Sequence, residues 1–334
     1  MAAPRSWKDA MVAAGAVAVS HVPEASLGRA DIDEVAGAEP VEDSGVAVHA
    51  VEAEAGEPAG SRFLDGRFLD GIELWKVVYY DGVVPIVRAH VAAAIRRRGA
   101  DRRLRTADEA GRDCVVACVA ALRPAVRAAL EASGLELVDL PQDEVSQPGR
   151  ALEAARRAVE RARVALEKQL GERCAERLGV DEWLVVDGVL SESSVLAGHP
   201  RALAVIKSHA AQYFAGPELE RALTVAPGHR TSVFRPRGRA RHEVYSWYQR
   251  LWPWEGNDVL FGLLRVEARA HEDTVRAASR IGGWLDRERA PLATPDARWD
   301  RLLYPIHDVE TYLKARAPRD LLSAPGSRLP KTGT

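Results

Sequence analysis

The chain has 334 residues, of which 47% are hydrophobic and 28% charged, a balance typical of a globular protein with an ordinary core. Its three cysteines, Cys114, Cys118 and Cys174, match neither a zinc-ligand spacing nor an even disulfide set, which favours a reducing compartment. No run of 18 apolar residues occurs, and the apolar segment 10–20 lacks a basic leader. We therefore expect a cytoplasmic protein with neither a membrane span nor a signal peptide.

The two ends of the chain differ in composition from its middle. Residues 1–60 hold eleven acidic and three basic residues, a net charge of −8 in a chain whose total is −2. The rest of the chain is therefore basic and is the part that could meet a polyanion. We predict an acidic N-terminal extension over 1–60 that is partly ordered, with a flexible tail as the alternative. Residues 317–334 are predicted to be a disordered tail, and the sortase-like motif at 329–333 is expected to be a coincidence or a tag.

Strand and helix signals begin at residue 62. Residues 72–80 are rich in β-forming side chains and end at the turn Asp81-Gly82, which predicts a hairpin with a returning strand at 83–87. Residues 89–98, which end in three arginines, continue as a strand or a helix. Apolar spacing predicts helices over 112–132 and 150–178.

The second half of the chain shows the same mixture of patterns. The further predicted elements are short strands at 183–186, 203–206 and 302–306, an antiparallel pair at 244–251 and 257–268, and helices at 272–288 and 307–316. Strands and helices in this order predict an α/β fold with a mixed sheet flanked by helices.

Two apolar strands are associated with aspartates that would lie at the rim of a sheet. Asp187 ends the strand at 183–186, and Asp70, or its rival Asp65, precedes the strand at 72–80. Carboxylates on neighbouring strands can hold a hard divalent cation, and such cations can promote phosphodiester hydrolysis. Asp-Gly is also the commonest tight-turn dipeptide, so a turn is the alternative interpretation.

Three further residues are candidates for such a site. Glu160 and Glu167 lie on the predicted long helix, where either could project over the sheet rim. The alternative is a solvated helix face, on which Glu167 pairs with Arg163 four residues earlier. Lys207 follows a predicted strand and could contact a phosphate, with a solvated loop as the alternative.

A basic segment interleaved with aromatic residues follows. This pattern is typical of a surface that tracks a nucleic-acid backbone and stacks on bases, although solvated charges beside core aromatics would look the same. The arginines predicted to bind DNA are Arg230, Arg235, Arg237, Arg239 and Arg241.

Six segments, taken in order, resemble the NurA nuclease family. They are Phe-Leu-Asp-Gly at 68–71, Trp-Leu-Val-Val-Asp-Gly-Val-Leu at 183–190, Ala-Val-Ile-Lys-Ser-His at 204–209, Trp-Tyr-Gln-Arg-Leu at 247–251, Leu-Arg-Val-Glu at 264–267, and Leu-Tyr-Pro-Ile at 303–306. The resemblance covers roughly 61–316. It implies an RNase H-like nuclease domain, a Mn²⁺ cofactor (with Mg²⁺ as the alternative), and homodimers. It also implies exonuclease or single-strand endonuclease activity in DNA end resection beside a HerA-type hexameric ATPase.

The resemblance also assigns residues. It implies that Asp70, Glu167 and Asp187 are catalytic metal ligands, that Asp65 and Glu160 are the alternates, and that Lys207 positions the scissile phosphate. The family usually has an Ala-His pair after Tyr-Pro, but here Tyr312 stands at the histidine position and His307 and Asp308 lie one turn earlier. Either these two residues complete the site or the fourth ligand is missing.

Two other functions are compatible with the same sequence. Without the fourth ligand, the protein would be a catalytically weak or inactive adaptor of a HerA-type translocase. With the same chemistry but another substrate, it would be an anti-phage defence nuclease.

Overall fold

The structure, a computed structural model, describes residues 7–18, 36–52, 66–99, 101–145, 147–209, 211–238, 240–254, 259–291 and 299–322. Asp65 and Arg239 lie outside the described residues, as do 323–334 of the predicted tail. Within the described ranges, one large mixed sheet is flanked by helices, which confirms the predicted α/β architecture.

The strands and helices of the described residues are numbered in chain order. The strands are β1 (Val17–Ala18), β2 (Ala38–Pro40), β3 (Val48–Ala50), β4 (Gly66–Asp81), β5 (Val84–Arg98), β6 (Leu104–Ala117), β7 (Glu136–Asp139), β8 (Trp183–Asp187), β9 (Ala202–Ile206), β10 (His229–Thr231), β11 (Phe234–Pro236), β12 (Val244–Arg250) and β13 (Leu263–Arg269). The helices are α1 (Trp7–Ala13), α2 (Pro124–Glu131), α3 (Pro148–Ala175), α4 (Ser194–Gly198), α5 (Gly216–Leu223), α6 (Glu272–Arg287), α7 (Tyr304–Arg316) and α8 (Arg319–Leu322).

The sheet runs in the order β2-β11-β12-β13-β9-β8-β4-β5-β6-β7, with β1, β3 and β10 attached beside this path. Strands β4, β8 and β9 are parallel neighbours in its centre, and β4, β5 and β6 form a long antiparallel meander. Parallel strands bring their carboxyl ends to the same level of a sheet. In this register Leu69 lies beside Val186, and Val205 lies beside Asp187.

Helices cover both faces of the sheet. On one face, Phe68, Val185 and Val205 pack with apolar side chains of α6 and α7. On the other face, Leu69 and Val186 pack with apolar side chains of α3 and α4. Because successive residues of a strand point to opposite faces, this packing fixes the face on which each polar residue of these strands lies.

Most of the predicted strands and helices are confirmed. The turn at Asp81-Gly82 joins β4 to β5, and Gly82 has a φ of 60°, which favours glycine. The long helix is α3, which begins at a proline in its first turn, where the missing N–H costs nothing. The two predicted aromatic strands are the antiparallel neighbours β12 and β13.

Two predicted elements are wrong. A helix was expected over 112–132, but residues 114–116 of β6 pair with both β5 and β7, and α2 begins only at Pro124. Burial of all four residues from Cys114 to Ala117 explains why sheet pairing outweighs the helix-like spacing. A strand was expected at 302–306, but Leu303 makes only an isolated bridge and α7 begins at Tyr304.

Parts of both chain ends belong to the folded body. Strands β2 and β3 of the acidic N-terminal segment pair with β11 and β10, and Glu42 accepts two hydrogen bonds from the buried Arg230 guanidinium at 2.7 and 2.8 Å. At the other end, α8 is tied to β4 and β5, since Asp320 pairs with Arg88 and its carbonyl accepts from Lys76 Nζ at 2.5 Å. None of the helices in the described ranges has the length and apolarity needed to cross a bilayer.

Candidate metal centre

Three polar residues share the α7 face of the sheet, at the level where β8 and β9 end and within the longer β4. Asp70 follows Phe68 by two positions, and Asp187 and Lys207 follow Val185 and Val205 by two. Side chains two positions apart on a strand point to the same face. All three residues therefore point toward α7, as Phe68, Val185 and Val205 do. The strand register of the sheet then brings them to the same level.

Helix α7 contributes a third carboxylate, Glu310, from above the sheet. Ligand oxygens of Asp70, Asp187 and Glu310 all lie within 4.8 Å of one another. Asp70 is 4% exposed and Glu310 is 7% exposed, so the group is largely closed to bulk water. We call these three carboxylates the acidic triad.

Lys207 supplies a positive charge inside this site. Its Nζ lies 2.5 Å from Asp187 Oδ2 and 4.0 Å from Glu310 Oε1, and its side chain is 6% exposed. Lys314, one turn after Glu310, donates to Glu310 Oε2 at 3.1 Å from the more exposed side of α7. Among the described residues, these ion pairs thus place one buried ammonium group, Lys207, and the more exposed Lys314 beside three carboxylates.

The carboxylate of Asp70 is buried, and one of its two oxygens lacks a hydrogen-bond donor among the described residues. Its Oδ1 accepts a hydrogen bond from the Gly71 N–H at 2.8 Å, whereas its buried Oδ2 has no hydrogen-bond donor among the described residues. Burial, together with the nearby charge of Asp187, raises the pKa of Asp70 well above its ordinary value, although Lys207 opposes this shift. A buried carboxylate oxygen without a donor is costly, and a cation would satisfy it.

The chemistry of the triad fits a hard divalent cation. Carboxylate oxygens are the preferred ligands of Mg²⁺, Mn²⁺ and Ca²⁺, and the described residues place no sulfur or imidazole ligand in this group. A bound cation would supply the donor that Asp70 Oδ2 lacks and would offset the repulsion among the three carboxylates.

Glu167 lies near the triad but on the opposite face of the sheet. Its Oε1 accepts a hydrogen bond from Arg163 at 2.5 Å, and Arg163 also donates to Glu73 on β4. A Cβ added at Gly71 would lie 2.2 Å from the same Oε1, so Glu167 rests directly on the β4 backbone. The structure therefore does not bring Glu167 into the acidic triad. It packs the residue behind the strand that carries Asp70.

The remaining predicted site residues lie elsewhere. Asp308 accepts from Arg96 Nε at 2.7 Å, and the half-buried His307 lies 3.5 Å from Thr311 Oγ1 rather than in the triad. Two residues along a helix correspond to a rotation of about 200°, so Asp308 and Glu310 face different directions. Glu160 is exposed on α3.

The predicted DNA-binding arginines are largely matched by carboxylates. Arg230 is 3% exposed and is held by Glu42, so it is not part of any surface. The other described members of the set form ion pairs at 2.7–3.4 Å, Arg235 with Glu39 and Glu243, Arg237 with Glu39, and Arg241 with Glu192.

A second group of ligand-type atoms links the N-terminal segment to the sheet. Glu42, Asp43 and His49 lie close together. Glu42 is bonded to Arg230 and to the Val233 N–H, while Asp43 accepts from Ser232 Oγ at 2.6 Å and lies 2.7 Å from His49 Nε2. Because both carboxylates already have donors, this group is accounted for by its own hydrogen bonds.

Comparison with known proteins adds no assignment. No protein-family model matches the chain. A search of curated proteins finds no match either. The chemistry of the site therefore rests on its own residues.

Substitution of Gly71 by alanine tests the close packing of Glu167 on β4. The new Cβ would overlap Glu167 Oε1 and lie 3.0 Å from the Ala92 carbonyl oxygen, so strand or side chain must shift. We expect the free energy of unfolding in urea to fall by roughly 1–3 kcal/mol. Gly149→Ala in α3 is the control, because nothing lies within 4 Å of that Cβ and alanine favours a helix more than glycine does, so its stability should be unchanged or raised. Equal stability of the two variants would contradict the packing described.

The ionisation of Glu167 gives a prediction about pH. Burial raises the pKa of Glu167 to about 7 from an ordinary value of 4.5, although Arg163 opposes the shift. Between these values the folded protein binds more protons than the unfolded chain, so stability from this group is complete below pH 4.5 and is lost as pH rises through 7. The free energy of unfolding in urea is measured from pH 4.5 to 8. Over this range the unsubstituted protein should lose about 3 kcal/mol more of it than Glu167→Gln. Parallel pH profiles would disprove the shift.

Proposed function

We propose that the protein is a divalent-cation-dependent DNA nuclease whose catalytic centre is the acidic triad. The observation that carries the proposal is the carboxylate of Asp70, which is buried beside Asp187 and Glu310 with no donor for its Oδ2 among the described residues. A cation held by these oxygens would complete the site, and Lys207 beside them offers a charge for a phosphate.

The residues of the site have distinct roles in this proposal. Asp70, Asp187 and Glu310 would hold the cation, with Glu310 in the position for which His307 and Asp308 were the predicted candidates. When bound, the cation supplies Lewis acidity, because it neutralises charge on a phosphodiester and lowers the pKa of a coordinated water. Lys207 Nζ orients the scissile phosphate. Glu167 acts from behind β4 as a positioning residue, because it packs on Gly71, whose N–H holds Asp70 Oδ1.

The substrate, the metal and the partners are supported by the sequence resemblance to the NurA family. That resemblance favours Mn²⁺ as the cation, DNA ends as the substrate and an RNase H-like assignment for the central sheet. A homodimer that works with a HerA-type hexameric ATPase in DNA end resection is part of the same proposal. The parallel strands β4, β8 and β9, of which the first two carry Asp70 and Asp187 at neighbouring positions, are compatible with such a fold.

Substitution of Asp187 by asparagine tests the nuclease proposal. We expect the unsubstituted protein to cleave DNA with Mn²⁺ and to be inactive in EDTA. Asp187→Asn should reduce cleavage about a thousandfold, equivalent to about 4 kcal/mol of transition-state stabilisation. It should also lose the rise in unfolding temperature that Mn²⁺ produces, which is measured without any substrate.

Glu160→Gln is the matched control for this experiment. Glu160 is an exposed glutamate of α3, so its variant should keep both the cleavage and the Mn²⁺-induced shift. The proposal would be refuted if Asp187→Asn cleaved DNA as fast as the unsubstituted protein. It would also be refuted if Mn²⁺ did not change the unfolding temperature of the unsubstituted protein.

Replacement of Lys207 separates its two proposed effects. The ammonium group neutralises Asp187 before a cation binds, so Lys207→Gln should enlarge the Mn²⁺-induced rise in unfolding temperature. The same variant should raise the KM for DNA because the phosphate loses its anchor. Lys314→Gln, which removes the half-exposed partner of Glu310, should change both quantities little. A smaller Mn²⁺ shift in Lys207→Gln would show that Lys207 supports cation binding instead of competing with it.

A further inference from the structure

Arg301 is bound to the backbone at the C-terminal end of β9. It belongs to the short 3₁₀ helix Trp299–Arg301, which precedes α7. Its Nη1 donates to the Lys207 carbonyl at 3.2 Å, and its Nε lies 3.2 Å from Asp300 Oδ2. The Asp300 carboxylate is buried and also accepts from the Gly262 N–H at 2.7 Å, so it holds the guanidinium from a fixed position. Arg301 is thus attached to the residue whose ammonium group lies beside the acidic triad.

The strand register places this attachment beyond the triad. Asp187 lies beside Val205, so Lys207 stands two residues farther along the parallel strands than Asp187 does. Two residues of strand span about 7 Å. The Lys207 side chain reaches back over this length, since its Nζ lies 2.5 Å from Asp187 Oδ2, whereas Arg301 is bound to the Lys207 carbonyl. The Arg301 guanidinium therefore lies past the level of Asp187, toward the C-terminal ends of the strands.

The triad is open toward the same end of the sheet. Asp187, at the end of β8, is half-buried, whereas Asp70, within β4, is buried. The next residue, Gly188, has a φ of 130°, and a Cβ added to it would meet nothing within 4 Å in the part of the chain that the structure describes. A ligand can therefore approach the backbone at the end of β8. Arg301 stands at the end of the neighbouring strand, on the side from which such a ligand would enter.

Part of the Arg301 guanidinium is free to bind a ligand. Nη1 and Nε have the partners given above, but Nη2 makes no hydrogen bond with any of the described residues, and the side chain is 24% exposed. A guanidinium presents its N–H groups in a rigid fork that matches two oxygens of a phosphate. The contacts of Nη1 and Nε fix the orientation of this fork, so little side-chain entropy is lost when it binds.

Arg301 differs in this respect from the other arginines near His209. Burial lowers the pKa of His209 to about 4, and the charges of Arg301, Arg265 and Arg250 add to the effect, so the imidazole is neutral at pH 7 and offers a phosphate no charge. Arg250 is fully buried and donates to backbone carbonyls, and the buried Arg265 pairs with Glu267. Of these three arginines, Arg301 is the one whose side chain reaches solvent beside the triad.

We propose that Arg301 binds the phosphate next to the scissile phosphate on the same DNA strand. The proposal rests on the proposed nuclease function and adds a substrate-binding residue to it. Lys207 and Arg301, joined at one backbone carbonyl, would hold two successive phosphates. Their offset of about 7 Å along the strand direction is comparable to the spacing of successive phosphates on an extended single strand. Such contacts position the DNA without reading its sequence.

The test is DNA binding by Arg301→Gln and Arg301→Lys in the full chain. Fluorescence anisotropy with a labelled twelve-nucleotide single strand in EDTA measures the Kd between 50 and 200 mM salt. For Arg301→Gln we expect the Kd at 100 mM salt to rise about tenfold, because a hydrogen-bonded charge pair is lost. The slope of log K against log salt should become shallower by about 0.7, which corresponds to one phosphate contact on single-stranded DNA. Arg301→Lys keeps the charge and should keep the slope.

A second measurement separates a phosphate contact from a structural role of Arg301. The rise in unfolding temperature that Mn²⁺ produces depends on the triad and Lys207 and needs no DNA. Arg301→Gln should keep this rise, and with Mn²⁺ it should raise the KM for DNA while kcat changes little. If the variant loses the Mn²⁺-induced rise together with its affinity for DNA, Arg301 acts by holding Lys207 in place, and the proposal is overturned.

Arg276→Gln is the matched control. Arg276 is an exposed arginine of α6 that is paired with Glu272 and Asp273, as Arg301 is paired with Asp300. Helix α6 begins just after β13, which runs antiparallel to β9, so Arg276 lies toward the other end of the sheet from Lys207. The control should keep both the Kd and the salt slope of the unsubstituted protein.

Failure of this contact can be distinguished from failure of the nuclease proposal. If the unsubstituted protein cleaves DNA, and Arg301→Gln has the same Kd and salt slope as Arg276→Gln, the contact is refuted while the nuclease proposal stands. If the unsubstituted protein neither cleaves DNA nor responds to Mn²⁺, the nuclease proposal fails, and the contact that rests on it fails as well.

Discussion

The structure depends on the burial of several like charges in one small space. Three strands of the central sheet and helix α7 converge on Asp70, Asp187 and Glu310, whose ligand oxygens lie within 4.8 Å of one another, with one ammonium from Lys207 among them. Carboxylates so close together repel one another and are difficult to ionise without positive charge. The parallel register of β4, β8 and β9 and the docking of α7 together force this arrangement. A divalent cation would offset its cost.

The two faces of the sheet contribute differently to the site. Helix α7 delivers Glu310 directly to the other carboxylates, whereas α3 presses Glu167 against the far side of β4 at Gly71. Arg163 holds that glutamate in place through a hydrogen bond to its carboxylate. The strand that carries Asp70 is thus packed on both sides, which limits the movement of the Asp70 carboxylate. Rigid support of this kind is typical of sites that hold a metal.

Sequence patterns predict part of this site and miss the rest for identifiable reasons. Asp187 and Lys207 directly follow short apolar strands, so the period of two predicts their face and level. Glu310 is missed because it lies on a helix between the buried residues Val309 and Leu313, in the apolar stripe that a helix of thirteen residues presents to the sheet. A carboxylate in such an apolar stripe is itself an indication that the helix packs against a polar site. The helix predicted over 112–132 is wrong because β6 pairs with β5 on one side and β7 on the other. The local spacing of apolar residues does not reveal these partner strands.

Anomalous diffraction from crystals soaked in Mn²⁺ tests most directly where a cation binds. We expect a peak among the oxygens of Asp70, Asp187 and Glu310, with Lys207 Nζ moved away from Asp187. A peak at Glu42, Asp43 and His49 with none at the triad would contradict the account, as would crystals whose triad binds no Mn²⁺ and keeps Lys207 in its contact with Asp187.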